Sequence, residues 1–156
     1  MVHYNIPGFG RADIEHVIFD YNGTIAVDGK LIPGVAQGIE TWAGKLTFHV
    51  ITADTFGFVK NELADLDVKL TIISKNSQDE KKYEYLQSLG PEKSICVGNG
   101  MNDARMLKAA CIGICILGRE GLATNSLTSS DLVIYDILDL FEYFKTPQRL
   151  IASLRT

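Results

Sequence analysis

Val17-Ile18-Phe19-Asp20-Tyr21-Asn22-Gly23-Thr24 decides the fold. An apolar run of strand length ends on a carboxylate, and Gly and Thr follow it in a tight turn. A carboxylate at the end of a buried strand can attack phosphorus covalently and can also bind a hard cation. Two residues further on, where a second carboxylate could move a proton, stands Asn22. An amide cannot shuttle that proton.

The rest of the chain alternates in the same manner. Apolar runs at 14–19, 46–51, 68–73, 94–97, 112–116 and 132–135 read as strands, several buried on both faces. Helical periodicity with bounding Gly, Pro and Asn places helices at 34–43, 55–65, 79–89, 102–110 and 136–144. Such alternation predicts a three-layer α/β/α, Rossmann-like fold with a mostly parallel central sheet. In such sheets, sites form beyond the carboxyl ends of the strands. Residues 25–32 read as a small hairpin turning at Asp28-Gly29.

Length and composition set limits. A chain of 156 residues, 46% of them apolar, can bury one sizeable core and is too short for two ordinary domains. One domain over 1–156 is expected, with a core at about 14–145, a peripheral N-terminal arm at 1–13 and a peripheral C-terminal tail at 146–156. The net charge of −4 supplies no general attraction for nucleic acid or an anionic membrane, so neither is expected as a partner. No apolar stretch is long enough to span a bilayer and no signal-peptide core precedes Arg11, Asp13 and Glu15, which leads to a cytoplasmic expectation. Cys96, Cys111 and Cys115 lack disulfide-framework or zinc spacing and read as reduced, buried thiols.

Three further segments fall at strand ends. In Ile51-Thr52-Ala53-Asp54-Thr55, the Thr52 hydroxyl and the N–H groups that follow, Ala53 first, can bind a phosphoryl oxygen; capping of the next helix by Thr52 or Asp54 is the plainer reading. Lys82 shares a helical face with Tyr85, Leu86 and Leu89 and so aims inward, where a lysine needs an anion, unless it snorkels from the helix edge. Lys75 is the reserve candidate and Lys81 lies on the wetter face. In Gly98-Asn99-Gly100-Met101-Asn102-Asp103, glycines allow backbone to approach a ligand, while Asn99 and Asp103 offer oxygens to a hard metal or its waters.

Taken in order, Asp20-Tyr21-Asn22-Gly23-Thr24, Thr52, Lys82 and Gly98-Asn99-Gly100-Met101-Asn102-Asp103 resemble the four motifs of the haloacid dehalogenase superfamily over roughly residues 14–145. Asn-Gly-Thr, Thr-Ala-Asp-Thr, Gly-Asn-Gly-Met-Asn-Asp and the late Pro147-Gln-Arg-Leu look most like its soluble P-type ATPase-like hydrolases. The resemblance implies a Mg²⁺-dependent phosphohydrolase with Asp20 as the nucleophile that becomes an aspartyl phosphate. It implies that Thr52, Ala53 and Lys82 hold phosphoryl oxygens, and that Mg²⁺ sits between Asp20, the Asn22 carbonyl and the Asn99/Asp103 turn. Lys82 is expected to keep Asp20 ionised.

Two positions depart from the family pattern. Asn22 replaces the usual acid/base Asp, and Asn99 replaces an Asp of the fourth motif. Loss of acid–base help costs about 10²- to 10⁴-fold, most for poor leaving groups. The alternative is therefore a weak or silent member that binds phosphate, nucleotide or a protein partner. The short spacings from Asp20 to Thr52 to Lys82 leave no room for a cap domain, so the site is expected to be open to a phosphorylated small molecule or an ATP-like donor. A homo-oligomer whose neighbour covers the site is one consequence; a lid from Gly118-Arg119-Glu120-Gly121 or from Arg149 and Arg155 is another, against their plainer reading as turn and tail. His3, His16 and His49 read as structural, Trp42 as core or an oligomer contact, and Asp136 and Asp139 as helix caps.

Overall fold

Six strands form one parallel sheet, its inner strands buried as helix-covered parallel strands are. The computed structural model describes residues 1–53 and 57–156. In chain order the sheet strands are β3 (His16–Phe19), β6 (Thr47–Thr52), β7 (Val68–Ile72), β8 (Ser94–Gly98), β9 (Ile112–Ile116) and β10 (Leu132–Ile134). Their spatial order is β10-β9-β8-β3-β6-β7, with every neighbouring pair parallel. The strand bearing Asp20 is thus central, and the chain crosses from one side of it to the other between β7 and β8. That is where a doubly wound sheet opens a crevice for ligands.

Period-two alternation sorts the strand residues to the two faces. Val17, Phe19, Phe48, Val50, Ile95, Val97 and Ile112 face a core completed by α1 (Val35–Trp42), α2 (Phe58–Glu62) and α6 (Leu138–Lys145). Ile18, Ile51, Cys96 and Cys115 face α3 (Gln78–Leu89) and α4 (Ala104–Ala109) through Leu86, Met106 and Leu107. Trp42 packs edge-on against Phe144 at 5.4 Å, which places it in the core contact between α1 and α6. The expected start of the second helix at Thr55, like the capping role weighed for Asp54, lies outside the described residues.

The hairpin expected at 25–32 is present as β4 (Ala26–Val27) and β5 (Lys30–Leu31). Asp28 and Gly29 both have positive φ, 52° and 79°, the two-residue turn whose twist matches antiparallel strands. Among the described residues nothing larger is inserted between the motif segments, so there is no cap domain.

The chain's ends differ from a merely peripheral arm and tail. β1 (Val2–Ile6) and β2 (Gly10–Ile14) form an antiparallel hairpin that sends Val2, Tyr4, Ile6, Ala12 and Ile14 into the larger core. α7 (Pro147–Leu154) packs on β1 and buries Leu150, and the Thr156 N–H donates to the Pro7 carbonyl at 3.1 Å. Pro147 starts this helix, because the N–H it lacks would have no partner in a first turn. Arg149 pairs with Glu142 at 3.6 Å, so this arginine is part of the α6–α7 packing and not a lid. Among the described residues no helix is long and apolar enough to cross a membrane.

Candidate active site

Asp20 follows the last residue of β3, its N–H donating to the Val97 carbonyl at 2.9 Å, so the sheet pairing continues to the candidate carboxylate. Alternation from Ile18 turns Asp20 towards α3. There Lys82 donates to Asp20 Oδ1 at 2.6 Å and to Asp103 Oδ1 at 2.7 Å, with 1% of its side chain exposed. The inward stripe of α3 explains this placement: Leu86, one turn later, anchors the helix in the core and aims Lys82 at the strand end. Lys75 instead lines a groove of about 540 Å³ with Gln78, Asn102 and Arg105.

Asp103 is fully buried at the end of the glycine turn. Its Oδ1 takes Lys82, and its Oδ2 accepts the N–H groups of Asn99 at 3.0 Å and Gly100 at 2.8 Å. Gly98 is required by this packing, because a Cβ there would lie 2.4 Å from Asp103 Cγ. The turn from β8 to α4 is thereby locked beside Asp20.

Three charges of alternating sign meet where little water enters. Burial, then the nearby Asp103 charge, pushes the Asp20 carboxyl up to about 7 against the pull of Lys82. Burial opposes the Lys82 charge, but the two carboxylates outweigh it and hold the ammonium above its ordinary value. Lys82 pulls the Asp20 carboxyl towards its charged form, as an adjacent cation must, while burial and then Asp103 oppose it.

The fold occurs in known proteins. No family model matches the chain. An uncharacterized protein of Methanocaldococcus jannaschii is 41% identical over 76 residues, which are 48% of this chain and 82% of that protein, and the two belong to one family. Among solved structures, the 3-deoxy-D-manno-octulosonate 8-phosphate phosphatase of Moraxella catarrhalis, in complex with magnesium, phosphate and the sugar acid, superposes with a TM-score of 0.70 at 12% identity, covering 91% of this chain and 94% of that one. The cobalt-bound form of the corresponding Haemophilus influenzae phosphatase gives 0.71 at 14% identity, covering 92% and 94%. The chain has the haloacid dehalogenase fold.

Within the haloacid dehalogenase fold, the remaining site residues divide into those that meet Asp20 and those that turn away. Thr24, fully buried, places its hydroxyl 3.5 Å from Asp20 Oδ2 and 3.3 Å from Asn99 Oδ1. It belongs to the candidate site, and the motif contained it without singling it out; a hydroxyl four residues after Asp20 was the available signal. Asn99, 8% exposed, also donates from Nδ2 to the Gly121 carbonyl at 3.1 Å. Gly23 has φ 81°, and a Cβ there would lie 2.3 Å from Asn99 Nδ2, so only glycine lets the two turns interlock. Thr52, buried, closes β6 beside β3, and Ala53 follows it half-buried, which brings both to the same end of the sheet as Asp20.

Asn22 turns away from the position expected of a proton shuttle. Its side chain is exposed, and its Oδ1 accepts the Gly29 N–H at 3.0 Å, drawing it to the hairpin turn. The hairpin is pinned from several sides: Tyr21 donates its hydroxyl to the Gly29 carbonyl at 3.0 Å, Glu120 accepts the Asp28 N–H at 3.1 Å, and Glu62 accepts the Leu31 N–H at 3.1 Å. The 118–121 segment is therefore neither a lid nor an idle turn. It clasps the hairpin.

The donor set bears on a metal. Among the described residues no group of three or more His, Cys, Asp or Glu is placed to hold one. Asp103, expected among the metal's surroundings, has both its oxygens in hydrogen bonds, to Lys82 and to the turn. The Asp20 carboxylate, the Asn22 carbonyl and Asn99 Oδ1 are hard oxygen donors at the rim of the strand end, a set that fits Mg²⁺ supplemented by water and carries one carboxylate charge. A cavity of about 800 Å³ opens next to Gly23 and Thr24, walled by Asp28, Lys30, Pro33, Arg119, Tyr135 and Asp136. The three cysteines are free and stand apart from this chemistry; burial pushes their thiols up, away from the reactive thiolate.

Proposed function

We propose that the protein is a Mg²⁺-dependent phosphohydrolase that forms an aspartyl phosphate on Asp20. The observation that carries this reading is the Lys82 ammonium bridging Asp20 and Asp103 at 2.6 and 2.7 Å at the carboxyl end of the central strand. A buried cation held on a nucleophile by a second carboxylate is a costly arrangement for stability alone, and replacement of such groups by apolar ones is often neutral or stabilising. Its use is chemical.

In this reading Asp20 Oδ2 attacks phosphorus while Lys82 holds Oδ1 and stabilises the negative charge that gathers on the phosphoryl oxygens. Thr52 and the Ala53 N–H bind those oxygens from the neighbouring strand. Thr24 orients Asp20 Oδ2 and Asn99 through one hydroxyl, and Asp103 positions Lys82 and the glycine turn. Asp20, the Asn22 carbonyl and Asn99 would hold Mg²⁺, which when bound supplies charge neutralisation between carboxylate and phosphoryl group. The substrate is a phosphorylated small molecule or an ATP-like donor, and the soluble P-type ATPase-like hydrolases are the finer assignment within the fold.

A silent phosphate- or partner-binding role is favoured by one observation, that Asn22 and Asn99 spend their amides on the hairpin and on Gly121. Two measurements separate the readings. Purified protein with Mg²⁺ is expected to release phosphate from an aryl or acyl phosphate and to carry a labelled phosphoenzyme after acid quench, both lost in Asp20→Asn. Turnover no higher than that of Asp20→Asn across a broad panel would establish the silent role.

A further inference from the structure

We infer that His49 and Tyr85 are positioning residues of the proposed reaction: their buried hydrogen bond fixes α3 against the sheet and so sets where the Lys82 ammonium stands beside Asp20. The inference rests on the Asp20 phosphoenzyme reading. Its foundation is a polar chain across three elements. His16 Nδ1 lies 3.1 Å from His49 Nε2, and His49 Nδ1 lies 2.9 Å from the Tyr85 hydroxyl. His16 is on β3, four residues before Asp20; His49 is on β6, three before Thr52; Tyr85 is on α3, three after Lys82. One run of hydrogen bonds thus ties together the three elements that carry Asp20, Thr52 and Lys82.

The helix that carries Lys82 has few apolar anchors. Of the twelve residues of α3, only Lys82 and Leu86 are buried, with Tyr85 and Leu89 partly buried against the same cluster. Apolar contact is non-directional, so so little of it leaves a helix free to slide or turn on the sheet. A hydrogen bond fixes distance and angle. Towards the site α3 is held by Lys82 itself and by Gln78, whose Oε1 accepts the Asn102 amide N–H at 2.5 Å. One turn beyond Lys82, the Tyr85 hydroxyl ties the helix to the sheet. His49 is built to receive it. It is fully buried on the sheet face shared with Ile51, two residues on, and burial pulls its pKa down to about 4. The ring is therefore neutral at neutral pH, with one donor and one acceptor nitrogen, and both are engaged. His16 sets the direction of the ring, because the bond at Nε2 decides where Nδ1 points. An all-apolar layer would fill this place with no polar group to satisfy, so what the chain adds is a unique geometry.

The geometry matters at the step where charge gathers on the phosphoryl oxygens. There Lys82 acts as a fixed cation, and its worth depends on standing in place before the charge develops. A misplacement of about 1 Å costs about 10²-fold in rate. His49 and Tyr85 touch neither substrate nor Asp20, and neither gains nor loses a proton in the reaction. They act through the position of Lys82.

The test separates positioning from stability. Tyr85→Phe removes only the hydroxyl. With Mg²⁺ and an aryl phosphate, at a temperature where urea unfolding shows the variant fully folded, kcat is expected to fall about 10- to 100-fold with KM within about twofold of the wild type. His49→Gln keeps a donor and an acceptor and should hold kcat within about threefold of the wild type, whereas His49→Leu, with neither, should fall as Tyr85→Phe does. Combining His49→Leu with Tyr85→Phe should cost no more than either alone, because both remove the same tie. A kcat within about twofold of the wild type in folded Tyr85→Phe, or a His49→Gln variant as slow as His49→Leu, would overturn the assignment and leave the chain a feature of stability. Aryl turnover that is lost in Asp20→Asn shows that the underlying reading stands in either case; its absence in the wild type would overturn both.

Discussion

Lys82 and Asp103 meet at 2.7 Å in a place closed to solvent, with 1% and 0% of their side chains exposed. A pair buried this deeply is not a surface salt bridge, and removing one partner leaves the other charged without compensation. Here the cation serves Asp20 as well, so deleting Lys82 strands two carboxylates.

Lys82→Met is therefore expected to destabilise the fold by about 3–5 kcal/mol, the usual cost of breaking a buried pair from one side. Asp103→Asn in the same chain should recover part of that loss, because it removes one of the stranded charges. Urea unfolding of the wild type, both single variants and the double variant forms a cycle that reads the coupling directly. Additive losses would mean that the pair is not energetically coupled.

Acid should weaken the fold through a second cluster. His49, fully buried in β6, sets Nε2 3.1 Å from His16 Nδ1 and Nδ1 2.9 Å from the Tyr85 hydroxyl. Burial, with His16 and Lys69 adding to it, pulls the His49 pKa down to about 4 from 6.5. The folded state then binds fewer protons than the unfolded one, so the contribution is complete above pH 6.5 and is lost as pH falls through that value towards 4. The full shift corresponds to about 3 kcal/mol. His49→Gln, which can still bond to His16 and Tyr85, should lose less stability than the wild type between pH 7 and pH 4.5. Parallel curves for the two proteins would remove His49 from the acid response.

Mg²⁺ binding should respond to residue 99. Asn99 offers an oxygen without charge where an added carboxylate would face the cation, and a unit charge at about 4 Å is worth at least about 1 kcal/mol even in water. Asn99→Asp is expected to tighten Mg²⁺ by roughly fivefold or more in a calorimetric titration, although it loses the bond from Nδ2 to the Gly121 carbonyl. Equal affinity in both proteins would take residue 99 out of the metal's surroundings.

The sheet and the placement of Lys82 were legible because they depend on local periodicity. Apolar runs of strand length became the six strands, and the spacing of Lys82 to Leu86 aimed the lysine inward as it does in the fold. What escaped depends on partners distant in sequence. The outward turn of Asn22 is decided by the Gly29 N–H of the hairpin, and the engagement of both Asp103 oxygens by Lys82 and by the N–H groups of the glycine turn. Glu120 lies 92 residues from the Asp28 N–H that it accepts, so nothing near it in the chain marked it as a partner of the hairpin. The alternation Val2, Tyr4, Ile6 was a local strand signal, yet its docking required α7, whose start at Thr146-Pro147 reads equally well as a break.

The last prediction concerns Asn22. A carboxylate at position 22 can keep the bond to the Gly29 N–H or leave it to give the leaving oxygen its proton. Asn22→Asp is expected to raise alkyl kcat/KM by up to about 10²-fold, with little change on an aryl phosphate, because only the poor leaving group needs the proton. The lifetime of the aspartyl phosphate should shorten in the same variant, since a carboxylate that can accept a proton from the hydrolytic water is then present. No gain, in a folded variant that still forms the phosphoenzyme, would show that a carboxyl at position 22 stays bound to the hairpin and does not reach the leaving group.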